Sequence, residues 1–212
     1  MSAIPQHVNQ LMRIDKLNKE WARTHAQSCA VFSLLVNIET QREATLSFTS
    51  KPPSFLDSKT INLLIYKQTC EIADNVSRIH RSLDEFTKII KSMRMALHEI
   101  SKLVLASASA KIHIDDALVI SDLSVDSAHL YATRIIDMYE KELVYKRGLV
   151  FGGLTLNNVE NVTRVWESWA SQSRINFEVE EDVMDKIKVW KRCGEYANIQ
   201  TRKTVKQRKS KP

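Results

Sequence analysis

Two interleaved seven-residue repeats constrain this chain more than any other feature. Ile65, Ile72, Ile79, Phe86, Met93 and Ile100 recur every seven positions, and Val76, Leu83, Ile90, Leu97 and Val104 recur every seven between them. Apolar residues spaced alternately by three and four fall on one narrow stripe of an α-helix. The pattern runs unbroken from Ile65 to Val104 and predicts a single helix over about 58–105, with Asp57 or Ser58 as its N-cap. At ~1.5 Å per residue such a helix is roughly 70 Å long. A stripe this narrow on a helix this long belongs to a bundle or coiled coil and not to a compact globule.

The flanking segments supply the other bundle members. Ile14, Leu17, Trp21, Thr24, Ser28, Val31, Leu35 and Ile38 form a heptad seam over about 11–44, with two small polar members near its middle. Residues 1–10 read as a disordered N-terminus. Pro52-Pro53 cannot continue a helix, so the first two helices form a hairpin over 11–105. Residues 106–124, which include Ala106-Ser-Ala-Ser-Ala110, break the pattern and read as a linker. A third helix starts near Ser124 or Asp126 with Ile135, Ile136, Tyr139 and Leu143 on its apolar stripe. Asp137/Lys141 and Glu142/Lys146 lie four apart along it in the favourable acid-first order. Gly152-Gly153 ends it; Asn157 or Asn158 caps a short fourth helix bearing Val159, Val162, Trp166 and Trp169. A short fifth helix with Val183, Ile187 and Trp190 on one face stops at Gly194, so 125–194 holds the C-terminal helices and 195–212 a disordered basic tail. The expected fold is all-α: an elongated antiparallel helical bundle of two long helices, a third packing helix and two short C-terminal helices. The first helix is shorter than the second by about a third on this reading, so the third is needed to cover the second's far end.

Composition agrees with that class. Four Gly and four Pro in 212 residues are far below the usual ~7% and ~5%, too few for the turns and close backbone approaches of Rossmann, P-loop or β-sandwich folds. Three widely spaced cysteines (Cys29, Cys70, Cys193) read as reduced intracellular thiols. No apolar run approaches the ~20 residues of a membrane span, and no membrane role is expected. The net charge of +6 has one location. Arg202, Lys203, Lys206, Arg208, Lys209 and Lys211 face no acid from Gln200 onward, and without them 25 basic residues balance 25 acidic ones. This basic end reads as a nuclear-import signal, a weak and salt-sensitive nucleic-acid contact, or a solvated terminus.

Catalytic chemistry finds no foothold. His113, Asp115 and Asp116 have no second cluster at ligand spacing, so no metal site is expected. Gly148-Leu-Val-Phe-Gly-Gly153 lacks Walker spacing and the Lys-Ser/Thr ending, and reads as a helix stop. No G-x-S-x-G or H-E-x-x-H occurs, so no catalytic set and no cofactor is expected. Arg147-Gly-Leu-Val-Phe151 matches the degenerate R-x-L-x-F docking pattern. Trp166, Trp169 and Trp190 at helical spacing are packing anchors or interface hot spots.

One segment carries more information. Met138-Tyr-Glu-Lys-Glu-Leu-Val-Tyr-Lys-Arg147 resembles the M-Y-x-K-E-L-x-x-K-R segment of the cyclin-dependent kinase 2-interacting protein family, matching at Met138, Tyr139, Lys141, Glu142, Leu143, Lys146 and Arg147. Lys19-Glu20-Trp21 and Asn37-Ile38 resemble that family's first helix, and Trp169 and Gln172 fall where it has W-x-x-Q. Ser173-Arg174 stands where the family has a Pro-aromatic pair. The resemblance implies a non-catalytic nuclear adaptor. Its implied partners are AAA+ ATPase subunits, a second small helical subunit, cyclin-dependent and replication kinases and checkpoint proteins. It implies roles in replication-fork maintenance, the DNA-damage checkpoint, the cell cycle and large ribosomal subunit maturation. The seven matched residues, with Trp166 and Trp169, are then the expected protein-interaction set. A nucleic-acid-associated coiled coil using the basic end, or a cytoplasmic coiled-coil tether, fits the heptads equally well.

Overall fold

The computed structural model describes residues 4–50, 57–109 and 122–209, and within them the fold is all-α with no strand. Helix α1 spans Gln6–Ser50, α2 Ser58–Ser109 and α3 Val125–Gly148. A π-helical turn, Leu149–Gly153, extends α3; α4 spans Val159–Ala170 and α5 Phe177–Lys209. The two long helices pack against each other and α3 packs against them.

Each start signal has a structural counterpart. Asp57 Oδ1 accepts the Thr60 N–H at 2.7 Å, so Asp57 and not Ser58 caps α2. Ser124 Oγ accepts the Ser127 N–H at 3.1 Å ahead of α3, and Asn158 Oδ1 accepts the Asn161 N–H at 2.9 Å ahead of α4. The two glycines do end the helical backbone, since Leu154 is extended after the π-helical turn.

Several boundaries differ from the sequence reading. Helix α1 starts at Gln6, inside the expected disordered N-terminus, and runs past 44 to Ser50. Residues 41–50 contain no Gly or Pro, and Thr45, Ser47 and Thr49 donate their hydroxyls back to carbonyls three or four residues earlier. The hydroxyls thus join the helix instead of ending it. With 45 residues against 52 in α2, α1 is nearly as long as its neighbour. Helix α2 continues to Ser109, four residues into the expected linker; 110–121, with His113, Asp115 and Asp116, lie outside the described residues. Helix α5 has 33 residues and is not short. It passes through Gly194 and replaces the expected disordered tail as far as Lys209. A lone glycine costs a helix only about 1 kcal/mol relative to alanine, which the Lys-, Arg- and Gln-rich stretch beyond it can absorb.

The chain forms two compact units that do not follow chain order. The first gathers 1–18, 91–138 and 176–212. Its core joins Leu11 and Ile14 of α1, Met93 and Ile100 of α2, Ala132 and Ile135 of α3, and Ile187 of α5, all at most 2% exposed. The buried His7 ring donates from Nε2 to the Leu123 carbonyl at 2.9 Å, and Tyr131 donates to Asp122 at 2.5 Å. The second unit gathers 19–90 and 139–175. Here Gln68 of α2 donates to Thr45 of α1 across the seam at 3.2 Å and Phe86 of α2 lies beside Trp21 of α1, so the two helices run antiparallel.

Candidate functional site

The densest set of buried polar groups lies in the second unit, around the end of α3. Helix α3 places Tyr139, Glu142, Leu143 and Lys146 at three- and four-residue steps on its inward face, and all four are buried. Lys146 is wholly inaccessible. A lysine there is stable only if its three N–H donors find acceptors. The ammonium donates to the Trp169 carbonyl at 2.7 Å, lies 3.1 Å from Glu142 Oε1 and reaches the His25 Nδ1 at 3.4 Å. It also sits 4.3 Å from the centre of the Trp169 ring, where the negative face adds cation–π attraction.

Aromatic side chains close the cluster. Trp21 lies 4.2 Å from Phe86 and 4.9 Å edge-on from Tyr139, measured between ring centres; Phe32 lies 4.9 Å from Trp169. Both buried indoles have partners: Trp169 Nε1 donates to Ser28 Oγ at 2.9 Å, and Trp21 Nε1 donates to Gln172 Oε1 at 3.0 Å. Gln172 holds a left-handed backbone, φ 45°, in the turn after α4. Glu142 Oε2 accepts the Arg174 N–H from the same turn at 3.2 Å. The segment between α4 and α5 is therefore pinned to α1 and α3 by side chains of both.

Burial sets the protonation states. It pushes the Lys146 amine below its ordinary range, and the Glu142 carboxylate opposes this. His25 is lowered to about 4, first by burial and then by the charge on Lys146. A neutral His25 leaves Nδ1 free to accept from Lys146. Burial also raises the Cys29 thiol, whose sulfur lies 3.4 Å from His25 Nε2. A thiol held protonated is a poor nucleophile. The Lys146 amine is closed to solvent and engaged by acceptors, so this cluster holds charge and does not present it to a substrate.

The expected interaction set divides on this geometry. Tyr139, Glu142, Leu143, Lys146 and Trp169 are core residues, which corrects their expected placement at a partner surface. Met138 and Trp166 are half-buried, while Lys141 and Arg147 are exposed. Arg147 donates to Thr87 of α2 at 2.9 Å. Six of the residues that resemble the family's motifs, Trp21, Tyr139, Glu142, Lys146, Trp169 and Gln172, meet in this cluster, whereas Lys19, Glu20, Asn37, Lys141 and Arg147 are exposed outside it. The sequence reading missed His25 and Phe86 as members. An i,i+4 relation between His25 and Cys29 was the available signal for His25, and Phe86 was read only as a seam residue. Of the expected import residues, Arg202, Lys203, Lys206, Arg208 and Lys209 lie on helix α5, and Lys211 lies outside the described residues.

Several large apolar side chains of this unit are exposed at separate places. Phe151, on the π-helical turn, is 71% exposed and stacks on His80 at 5.3 Å. At the hairpin end, Leu46 and Phe48 of α1 and Leu63, Leu64 and Tyr66 of α2 are exposed. Among the described residues, no group of three or more His, Cys, Asp or Glu is arranged to hold a metal ion, and no helix is long and apolar enough to cross a membrane. No protein-family model and no curated protein matches the chain.

Proposed function

We propose that the chain is a non-catalytic nuclear adaptor, an accessory helical subunit of an AAA+ ATPase assembly that also contacts a second small helical subunit, replication kinases and checkpoint proteins. It serves replication-fork maintenance and large ribosomal subunit maturation. The ATPase supplies the energy, and this chain positions it or its client. One observation supports the reading. The residues that resemble the cyclin-dependent kinase 2-interacting protein family are scattered from Trp21 to Gln172, 151 positions apart, yet these two share a hydrogen bond in one buried cluster. A chance ten-residue match has no reason to enlist Trp21, Trp169 and Gln172 in the same packing. That packing supports reading the resemblance as one of a folded unit, and the adaptor role is what the resemblance then implies. The basic residues from Arg202 to Lys211 serve as the import address. With five of the nine expected contact residues in the core, the contacts fall to exposed surface. Affinity capture of the full chain from nuclear extract tests the proposal. It predicts recovery of an AAA+ ATPase or a replication kinase; recovery of neither contradicts it.

A further inference from the structure

Helix α4, in the second unit, is clasped at both ends. It has 12 residues and stands between two non-glycine residues in the left-handed region, Asn157 at φ 65° and Gln172 at φ 45°. Such backbone is uncommon for residues with a Cβ and persists where surrounding contacts impose it. Here α1 imposes both. Glu39 accepts the Asn157 N–H at 3.2 Å and Arg42 donates to the Asn157 side chain, while Trp21 donates to Gln172 at 3.0 Å. Between these clasps α4 buries Val162, Val165 and Trp169. What it covers is charged as well as aromatic. The Trp169 ring lies 4.9 Å from Phe32 and 6.1 Å from Phe86, and its carbonyl accepts from the buried Lys146. Glu142 Oε1 has no donor other than that ammonium, at 3.1 Å, among the described residues. The closed arrangement thus holds two strained turns and a desolvated ion pair, and all three are relieved when α4 lifts and water reaches the pair.

We infer that α4 is a latch, hinged at Asn157 and Gln172, that lifts as one unit and uncovers a groove for an amphipathic helix of a partner protein. Helix α4 is itself the template for that occupant. The groove takes a helix with an aromatic side chain near its C-terminal end, set against Phe32 and Phe86, and a last-turn carbonyl for Lys146. A cation at a helix C-terminus is favourable, the more so where water is excluded. A partner helix that enters without the two left-handed turns replaces α4 and does not restore their strain, which sets the direction of the exchange. Such a ligand makes a minor open state dominant to the extent that it prefers that state. Two other occupants fit less well. A nucleic-acid strand can stack on the rings but brings phosphates towards the Glu142 carboxylate. The α4 of a second copy carries the same two turns, so exchange between copies relieves nothing. The inference deepens the adaptor reading and rests on it only in taking a partner protein as the source of the helix. The measurements below use no partner and nuclear capture does not depend on α4, so each can fail without the other.

Amide exchange of the full chain, resolved by NMR, reads the latch directly. The amides of Val162–Ala170 should exchange as a group, roughly tenfold or more faster than those in the buried stretches of α1 and α2. Protection equal to that of α1 and α2 overturns the inference. A gradient running inward from the ends of α4 is fraying and overturns it too. The groove is read with a labelled peptide of residues 155–174. The Trp169→Ala chain, whose own α4 has lost its anchor, should bind this peptide roughly tenfold or more tighter than the parent chain does. The peptide carrying the same substitution should bind neither chain. Failure of a Trp169→Ala chain that keeps its helicity to bind the unsubstituted peptide overturns the inference. If circular dichroism shows that this variant has unfolded, the exchange pattern of the parent decides alone. A single-stranded oligonucleotide that displaces the peptide overturns the inference in favour of nucleic acid. A dimer of the parent chain that is lost in Trp169→Ala overturns it in favour of a second copy.

Discussion

At the scale of single residues, the Glu142–Lys146 pair shows what sequence spacing can and cannot convey. The i,i+4 relation was legible and the two groups do meet, at 3.1 Å. Their burial was not legible, because it depends on α1 and α4 closing over them. The difference matters energetically: an exposed pair contributes a few tenths of a kcal/mol, whereas breaking a buried one by removing a single partner costs about 3–5 kcal/mol. Glu142→Gln and Lys146→Met are each expected to destabilise by about that amount in urea unfolding. The double variant should lose less than the sum of the two, because neither charge is then left alone. Small, additive losses would place the pair at the surface. Ser28→Ala orphans the Trp169 N–H and should cost about 1–3 kcal/mol by the same measurement. The neutral His25 adds a pH dependence. Its folded pKa of about 4 lies below the unfolded value near 6.5, so below pH 6.5 the unfolded chain takes up a proton that the folded chain refuses. Stability is therefore full above 6.5 and falls as pH drops towards 4. His7, also lowered by burial, acts in the same direction. Urea midpoints at successive pH values should show the decline, and His25→Gln should make it shallower; an unchanged slope would contradict the assignment.

At the scale of elements, apolar periodicity found the helices and most of each seam. On α1 the column Ile14, Trp21, Ser28, Leu35 is buried as expected. The second expected column, Leu17, Thr24, Val31 and Ile38, is buried at Leu17 and Val31 but not at Thr24 or Ile38, while Asn18, His25, Phe32 and Glu39 one position later are buried throughout. A search for apolar repeats passes over a column that contains a histidine and a glutamate. The structure makes it work by supplying partners: His25 has Lys146, and Glu39 accepts the Asn157 N–H at 3.2 Å. Helix α2 repeats the lesson, since Gln68 and Asn75 are buried while Val76, Leu97 and Val104 are only half-buried. Caps were easier to read, because an Asp or Asn before an apolar run satisfies a fixed backbone need. Stops were not, since hydroxyls and a lone glycine are tolerated within helices. The cap of α4 has a measurable role. That helix has only 12 residues and carries Trp169, so Asn158→Ala should cost about 1 kcal/mol in urea unfolding. A loss within error would show that packing alone holds the helix.

At the scale of the whole molecule, the sequence left open what fills the heptad seam of α2. In the structure this one chain fills most of it: Ile72, Ile79, Phe86, Met93 and Ile100 are at most 3% exposed with no second chain present. The two units do this with segments drawn from both ends of the chain and its middle, a division no linear composition signal announces. The large apolar residues left exposed include Phe151, the hairpin-end set and others such as Leu34, Met95, Leu130 and Val144, none of them a seam position, so surface for partners survives outside the core. A coiled-coil dimer would need the same residues on its interface and is excluded if the chain buries them itself. The most direct test is the mass of the purified full chain by light scattering behind size exclusion, followed over a range of concentrations. The account predicts the single-chain mass, 24.4 kDa, at each concentration. A stable mass of twice that value, kept on dilution and lost on Ile79→Asp or Phe86→Asp without loss of helicity, would contradict it.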